Sequence, residues 1–419
     1  MTLVAGTPQL ETIASVAAAD TADPARRRLA IGFLNFAHGI DHFVILIYPT
    51  VVIQLQAAYG QSYATLIALS TASFVAFGLF SLPAGWLGDR WSRRKMMLGF
   101  YFGCGVSLFA AALAPSLYVL AFALFALGIF AAIYHPVGTA MILDNATQRG
   151  RTMAFNGVCG NLGVSLAAGI TAVLTAAFSW RGAFLVPGLV CIATGLVFMR
   201  AVPEEGSHES KRAGAADVTL SPAMAVVIFG LFIVVALSAG LVFNTMSVAL
   251  PKIVDERVSG ISLLEVGGLT TAVFLCGALA QITVGRLVER FPLHILFAIS
   301  AVLQVGGIVW ATYAGGAALL FALAFTMAAI YGQITLNDLV IARYTPAVWR
   351  GRVYAVRYFL TFMVSGAAVS MIAYLYGRGG FDLVLGTTAL IALGFLIAVL
   401  LIALIANGVE RARLPVAAE

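Results

Sequence analysis

Twelve apolar stretches run through the chain, near residues 29–52, 62–85, 96–113, 117–143, 152–177, 182–200, 222–250, 264–288, 293–313, 316–340, 353–376 and 382–407. Each ends at glycine, proline or charge, and each is close to the roughly 20 apolar residues that carry a helix across a bilayer. Hydrocarbon offers no water to the backbone, so this pattern points to one solution, a bundle of spanning helices. Composition agrees: 61% of residues are apolar and 10% charged, against about 45–50% and about 25% in soluble chains. Spans and short loops use up the 419 residues, leaving no room for a catalytic domain of ordinary size, and an enzyme is not expected. There is no GxxxxGK[ST] run and no Ser/His/Asp or metalloprotease pattern, so neither an ATP motor nor a cofactor is expected. The net charge of +6 is read as loop charge rather than as a nucleic-acid surface. Cys104, Cys159, Cys191 and Cys276 lie within apolar stretches without CxxC spacing and read as small packing residues.

The expected fold class is an all-α membrane protein with twelve transmembrane helices in two pseudo-symmetric six-helix bundles. Residues 1–26, rich in Ala, Thr and Asp, read as a disordered cytoplasmic tail. Residues 27–200 form the N-terminal bundle and 222–407 the C-terminal bundle, joined by a cytoplasmic linker over 201–221 and followed by a tail over 408–419. With the N-terminus inside, 19 of the 24 Lys and Arg residues fall in cytoplasmic segments and four outside, which puts both termini in the cytoplasm. The halves repeat: Gly85-Trp-Leu-Gly-Asp89-Arg90-Trp91 returns as Gly285-Arg-Leu-Val-Glu289-Arg290-Phe291, Ala131-Ala-Ile-Tyr134 as Ala328-Ala-Ile-Tyr331, and Arg149-Gly-Arg151 as Arg350-Gly-Arg352. Ordered matches at equivalent span ends are the mark of an internal duplication, common among transporters.

Two six-helix halves, a longer central loop, and Gly85-x-Leu87-x-Asp89-Arg90-x-Ser92-Arg93-Arg94 between spans two and three resemble the major facilitator superfamily of secondary transporters, with Ser92 where the family usually has glycine. Three stretches resemble its fosmidomycin-resistance branch more narrowly: Asn35-Phe-Ala-His38-Gly-Ile-Asp41-His42, Tyr134-His135-Pro136, and Gly160-Asn161-Leu-Gly163. Two positions depart from the wider antiporter pattern, Ile170 after Gly169 and Leu124 in span four. The resemblance implies a multi-pass carrier of the bacterial inner membrane that exports a small amphiphilic or anionic compound by proton antiport, with drug resistance as phenotype. The implied partners are the cargo, protons and the lipid bilayer, and the carrier is expected to be a monomer. It also implies that Asp89 meets the start of span eleven, near Gly351 to Tyr354, when the inner gate is closed.

Candidate site residues follow from charge at depth. Asn35, His38, Asp41 and His42 share one face of span one by their spacing, and ionisable groups inside a bilayer face water, cargo or one another. His38, Asp41 and His42, with His135 beside Pro136, are read as the proton-coupling group, histidine having an ordinary pKa of about 6.5. A polar knot that packs the halves is the plain alternative, and a divalent-metal half-site from His38, Asp41 and His42 is another. Substrate contacts are expected from Asn35, Asn161, Asn244, Gln333, Asn337 and Arg357, His42 and Asn244 holding equivalent places in the two halves. Arg357 reads either as an anion anchor or as the partner of Asp338 in a buried ion pair. Asp89, Arg90, Arg93, Glu289, Arg290 and Asp338 are read as gating residues. The rival functions are proton-coupled uptake of a small organic acid and carriage of a divalent metal by the span-one cluster.

Overall fold

The computed structural model describes residues 24–203, 222–345 and 347–411. The expected tails up to residue 23 and from 412, and the linker over 204–221, lie outside the described residues. Among the described residues there is no strand; ten helical stretches are long and apolar enough to cross a membrane. The elements are α1 (Pro24–Tyr59), α2 (Tyr63–Ala68), α3 (Thr71–Arg90), α4 (Arg93–Ala112), α5 (Leu117–Ala131), a π-helical turn (Tyr134–Gly138), α6 (Thr139–Asn145), α7 (Arg149–Ala201), α8 (Pro222–Arg257), α9 (Leu263–Leu287), α10 (Leu293–Tyr313), α11 (Gly316–Tyr344) and α12 (Ala347–Arg411). The first helix takes in Pro24–Arg26, three residues ahead of the expected limit, and α12 runs to Arg411, past the expected 407.

Helix starts follow local chemistry. The side chains of Ser62, Ser92 and Ser116 each accept a hydrogen bond from the backbone N–H three residues on, satisfying one of the donors a helix start leaves orphaned. Ser92 therefore earns its place in the loop motif as the cap of α4. At α9 the cap is reciprocal: Glu265 Oε2 accepts from the Ser262 N–H at 2.6 Å, while Ser262 Oγ accepts from the Glu265 N–H at 3.3 Å, a capping box.

Two elements are too long for one straight crossing. The 53 residues of α7 amount to about 80 Å of helix at 1.5 Å per residue, against a hydrocarbon core of about 30 Å. Its path breaks at Ser179, a non-glycine residue with φ 71°. The 65 residues of α12 break at Gly379 and Gly380, the latter with φ 60°. These breaks fall in the gaps between apolar runs five and six and runs eleven and twelve.

The helices pack so as to enclose one central region: α1 lies against α7, α8 against α12, α9 against both α7 and α11, and α3 against α12. Small residues permit the tightest of these approaches. A Cβ on Gly163 would lie 2.1 Å from the Gly39 carbonyl oxygen, and one on Gly78 would lie 2.7 Å from that of Phe362, so glycine is what lets backbone meet backbone.

Candidate functional site

The face of α1 expected from spacing is present. Asn35 and Asp41 are buried, and His38 and His42 are partly buried. Across from it stands α7, where Asn156 acts as a hub. Its backbone carbonyl accepts from His38 Nδ1 at 2.8 Å, and its side-chain nitrogen donates to Asn35 Oδ1 at 3.0 Å and to the Tyr134 hydroxyl at 2.8 Å. A carbonyl oxygen can only accept, so the His38 proton is on Nδ1 and the lone pair of the neutral ring is on Nε2. Gly160 makes room for that ring, because a Cβ there would lie 2.6 Å from two of its atoms.

His135 arrives on the π-helical turn. Pro136 has no N–H to give the helix ladder, and a wider turn accommodates it. The glycines of the loop motif seat this turn: a Cβ on Gly85 would meet Pro136 at 3.1 Å, and one on Gly88 would meet Val137 at 2.8 Å. His135 Nε2 thereby reaches 3.2 Å from Asp41 Oδ2. Asp41 is fully buried, and neither of its oxygens has a hydrogen bond of good geometry; among the described residues the ionisable group beside it is His135. The rings of His38, His42 and His135 stand 5.0–5.3 Å apart. One nitrogen of each lies within 4.8 Å of those of the other two. The grouping weighed as the metal alternative is different in the structure: His135 joins His38 and His42, and Asp41 lies beside His135.

Beside the cluster lies a cavity of about 70 Å³ lined by residues of α1, α3, α7, α8 and α12, among them His42, Phe77, Phe243, Asn244 and Phe362. His42 and Asn244 thus meet one space, as their equivalent positions suggest. Asn244 also donates to the Gly240 carbonyl at 2.8 Å. His42 is the one lining residue able to carry charge.

The other expected site residues are placed elsewhere. Asn161 donates to Gln281 across the α7–α9 contact, and Gln281 reaches Thr335 at 3.3 Å, a bridge between helices. Gln333 and Asn337 are buried on α11, each with an oxygen that lacks a hydrogen bond, and neither lines the cavity. Arg357 is paired with Asp338. Asp89 is exposed and bonded to Arg93 at 2.7 Å, while Arg93 also holds Asp144. The side chains of residues 351, 352 and 354, where Asp89 was expected to dock, lie outside the described residues. Arg90 stacks over Trp86 at 4.6 Å, and Glu289 and Arg290 are exposed in the turn after α9.

A network at the opposite end was not read from sequence. Lys252 Nζ lies 2.6 Å from Asp255 and 3.5 Å from Glu256, Tyr376 donates to Glu256, and the Tyr63 and Tyr376 rings meet at 4.8 Å. The sequence signal for it is the spacing of Lys252, Asp255 and Glu256 at i, i+3 and i+4, which puts the charges on one helix face.

The model of the Major Facilitator Superfamily matches residues 31–267. Among curated proteins, the inner membrane metabolite transport protein YdjE of Escherichia coli (strain K12) is 35% identical over 121 residues, 28% of this chain and 27% of that protein. A probable L-galactonate transporter of the same organism is 33% identical over 138 residues, 32% of this chain and 30% of that protein. Each match spans less than a third of the relative. Among solved structures, an inward-facing, unoccupied bacterial homologue of the human lysosomal transporter Spinster superposes with a TM-score of 0.74 at 14% identity, over 94% of this chain and 99% of that one. A D-xylose–proton symporter gives 0.68 at 17% identity, over 89% and 96%.

Proposed function

Since the chain belongs to the major facilitator superfamily, we propose that it is a proton-coupled secondary transporter of the inner membrane that exports a small amphiphilic or anionic compound by alternating access. In this reading the broken helices α7 and α12 each count as two crossings, which makes twelve, and the two six-helix halves rock about the central cavity with both termini in the cytoplasm.

The observation that carries the proposal is Asp41, a fully buried carboxyl group with an imidazole 3.2 Å away, in a cluster that reaches the cavity through His42. A carboxylate at such depth is costly unless paired or protonated, so its proton inventory depends on whether water reaches it. That is the property a coupling site needs when access alternates. The aromatic lining suits an amphiphilic cargo, and His42 and Asn244 supply polar contacts. Likeness of the span-one, span-four and span-five motifs to the fosmidomycin-resistance branch supports export.

A second reading is uptake of a small organic acid with protons. It is favoured by the relative named a probable L-galactonate transporter and by His42, which when protonated attracts an anion. Reconstituted vesicles of known orientation separate the two: cargo-driven proton movement opposite to the cargo supports export by antiport, and movement with the cargo supports symport. Cargo flux without any proton movement would sink both.

A further inference from the structure

We propose that His38, His42 and His135 form a binding site for a borderline divalent transition metal such as Zn²⁺, Ni²⁺ or Co²⁺. The inference goes beyond proton coupling and stands on geometry alone. Each imidazole has a nitrogen within 4.8 Å of the other two. A tetrahedral ion with Zn–N bonds of about 2.0–2.1 Å holds its nitrogens about 3.3 Å apart, so the nitrogens need to close by at most about 1.5 Å when the ion binds.

One of the three rings is held from behind by a hydrogen bond, and a second has a carboxylate beside it. His38 Nδ1 donates to the Asn156 carbonyl, which leaves Nε2 as the lone-pair atom. His135 Nε2 lies 3.2 Å from Asp41 Oδ2, so the carboxylate stands next to that ring and can take up its N–H once the ring turns toward the ion. Carbonyl and carboxylate partners of this kind fix tautomer and orientation in histidine metal sites. The supports come from different elements: Asn156 is on α7, Asp41 on α1, and His135 on the π-helical turn.

Donor chemistry sets the class of ion. Three imidazoles suit Zn²⁺, Cu²⁺, Ni²⁺ or Co²⁺, whereas Mg²⁺ and Ca²⁺ demand oxygen cages. The fourth position is left to water or to a ligand from the cavity that His42 lines. Asp41 serves as a positioning residue, holding His135 without touching the ion.

The test uses full-length, untagged protein in detergent, stripped with a chelator and dialysed against Zn²⁺, with bound metal measured directly. One Zn²⁺ per chain is expected at micromolar free ion, and Co²⁺ should give the intense visible bands of a four-coordinate site. His38→Asn, His42→Asn and His135→Asn should each weaken Zn²⁺ by at least about 100-fold, and Asp41→Asn by about 10–100-fold. His294→Asn, on α10, should bind as wild type. No stoichiometric metal, or binding that survives all three cluster substitutions, overturns the site. Should a cluster variant fail to fold, the cobalt spectrum of the wild type decides, and octahedral-type weak bands overturn the proposal. Metal content reads this proposal and proton flux in vesicles reads the coupling proposal, so the two fail separately.

Discussion

Gly163→Ala tests whether the approach of α1 to α7 is what assembles the cluster. The new Cβ would sit 2.1 Å from the Gly39 carbonyl oxygen and within 2.9 Å of two further Gly39 backbone atoms. Ordinary contact begins near 3.4 Å, so the helices must part by about 1.3 Å. No side-chain rotation can relieve the clash, because the obstacle is backbone. Overpacking of this kind costs about 1–3 kcal/mol. The same displacement carries the 2.8 Å His38–Asn156 and 3.0 Å Asn35–Asn156 bonds beyond reach, each worth about 0.5–1.5 kcal/mol. Against this stands the helix-propensity gain of alanine over glycine, up to about 1 kcal/mol. The net expectation is a loss of about 1–5 kcal/mol. Gly157→Ala is the control on the same helix: nothing lies within 4 Å of its Cβ position, so only the propensity gain applies. Thermal melting of both variants beside wild type in one detergent reads the difference. The reasoning is refuted if Gly163→Ala melts at or above wild type, or if the two variants shift alike.

Three further outcomes are expected. Asp41→Asn should abolish transport driven by a pH gradient while the protein stays folded, and transport at the wild-type rate with unchanged pH dependence would make the cluster structural. Arg357→Gln should lower ligand-free stability by about 1 kcal/mol or less, since Asp338 is 39% exposed and solvent screens the pair; Asp338→Asn in the same chain should recover most of that loss in a double-mutant melting series, and weakened binding of an anionic cargo with no change in melting would instead make Arg357 an anchor. Gly78→Ala puts a Cβ 2.7 Å from the Phe362 carbonyl and should loosen the α3–α12 contact, so a single cysteine at Ser247 in the cavity wall should react faster with a reagent added from the Tyr63 end; equal rates would mean that this contact does not seal the cavity.

Apolar run length made the helices legible in sequence, because lipid forbids almost everything else. Even the breaks at Ser179 and Gly379–Gly380 coincide with gaps between runs. Within the site, helical spacing was enough to put His38, Asp41 and His42 on one face, since that depends on one element alone. The pairing of Asp41 with His135 was not legible, because it depends on how α1 packs against a turn far along the chain. Asn156 carries no signal in the sequence that sets it apart from other amides; its role as hub comes from a backbone carbonyl as much as from its side chain, and backbone groups leave no trace in residue identity. Asp89 shows the converse limit. Its described partner, Arg93, is one turn away across the start of α4, a local pairing that family likeness does not foretell.

The π-helical turn at Tyr134–Gly138 has an evolutionary consequence. Such turns amount to one residue inserted into an α-helix, and a single insertion rotates everything beyond it by about 100°. Deleting one residue from this segment would therefore leave a continuous apolar helix, with length, hydropathy and membrane insertion almost unaltered, yet His135, Pro136 and Val137 could not all keep their places against Asp41, Gly85 and Gly88. A chain lacking that residue is expected to insert as a membrane protein without this site. A one-residue gap or insertion at this point, among related chains, is thus expected to accompany loss or gain of the His–Asp arrangement.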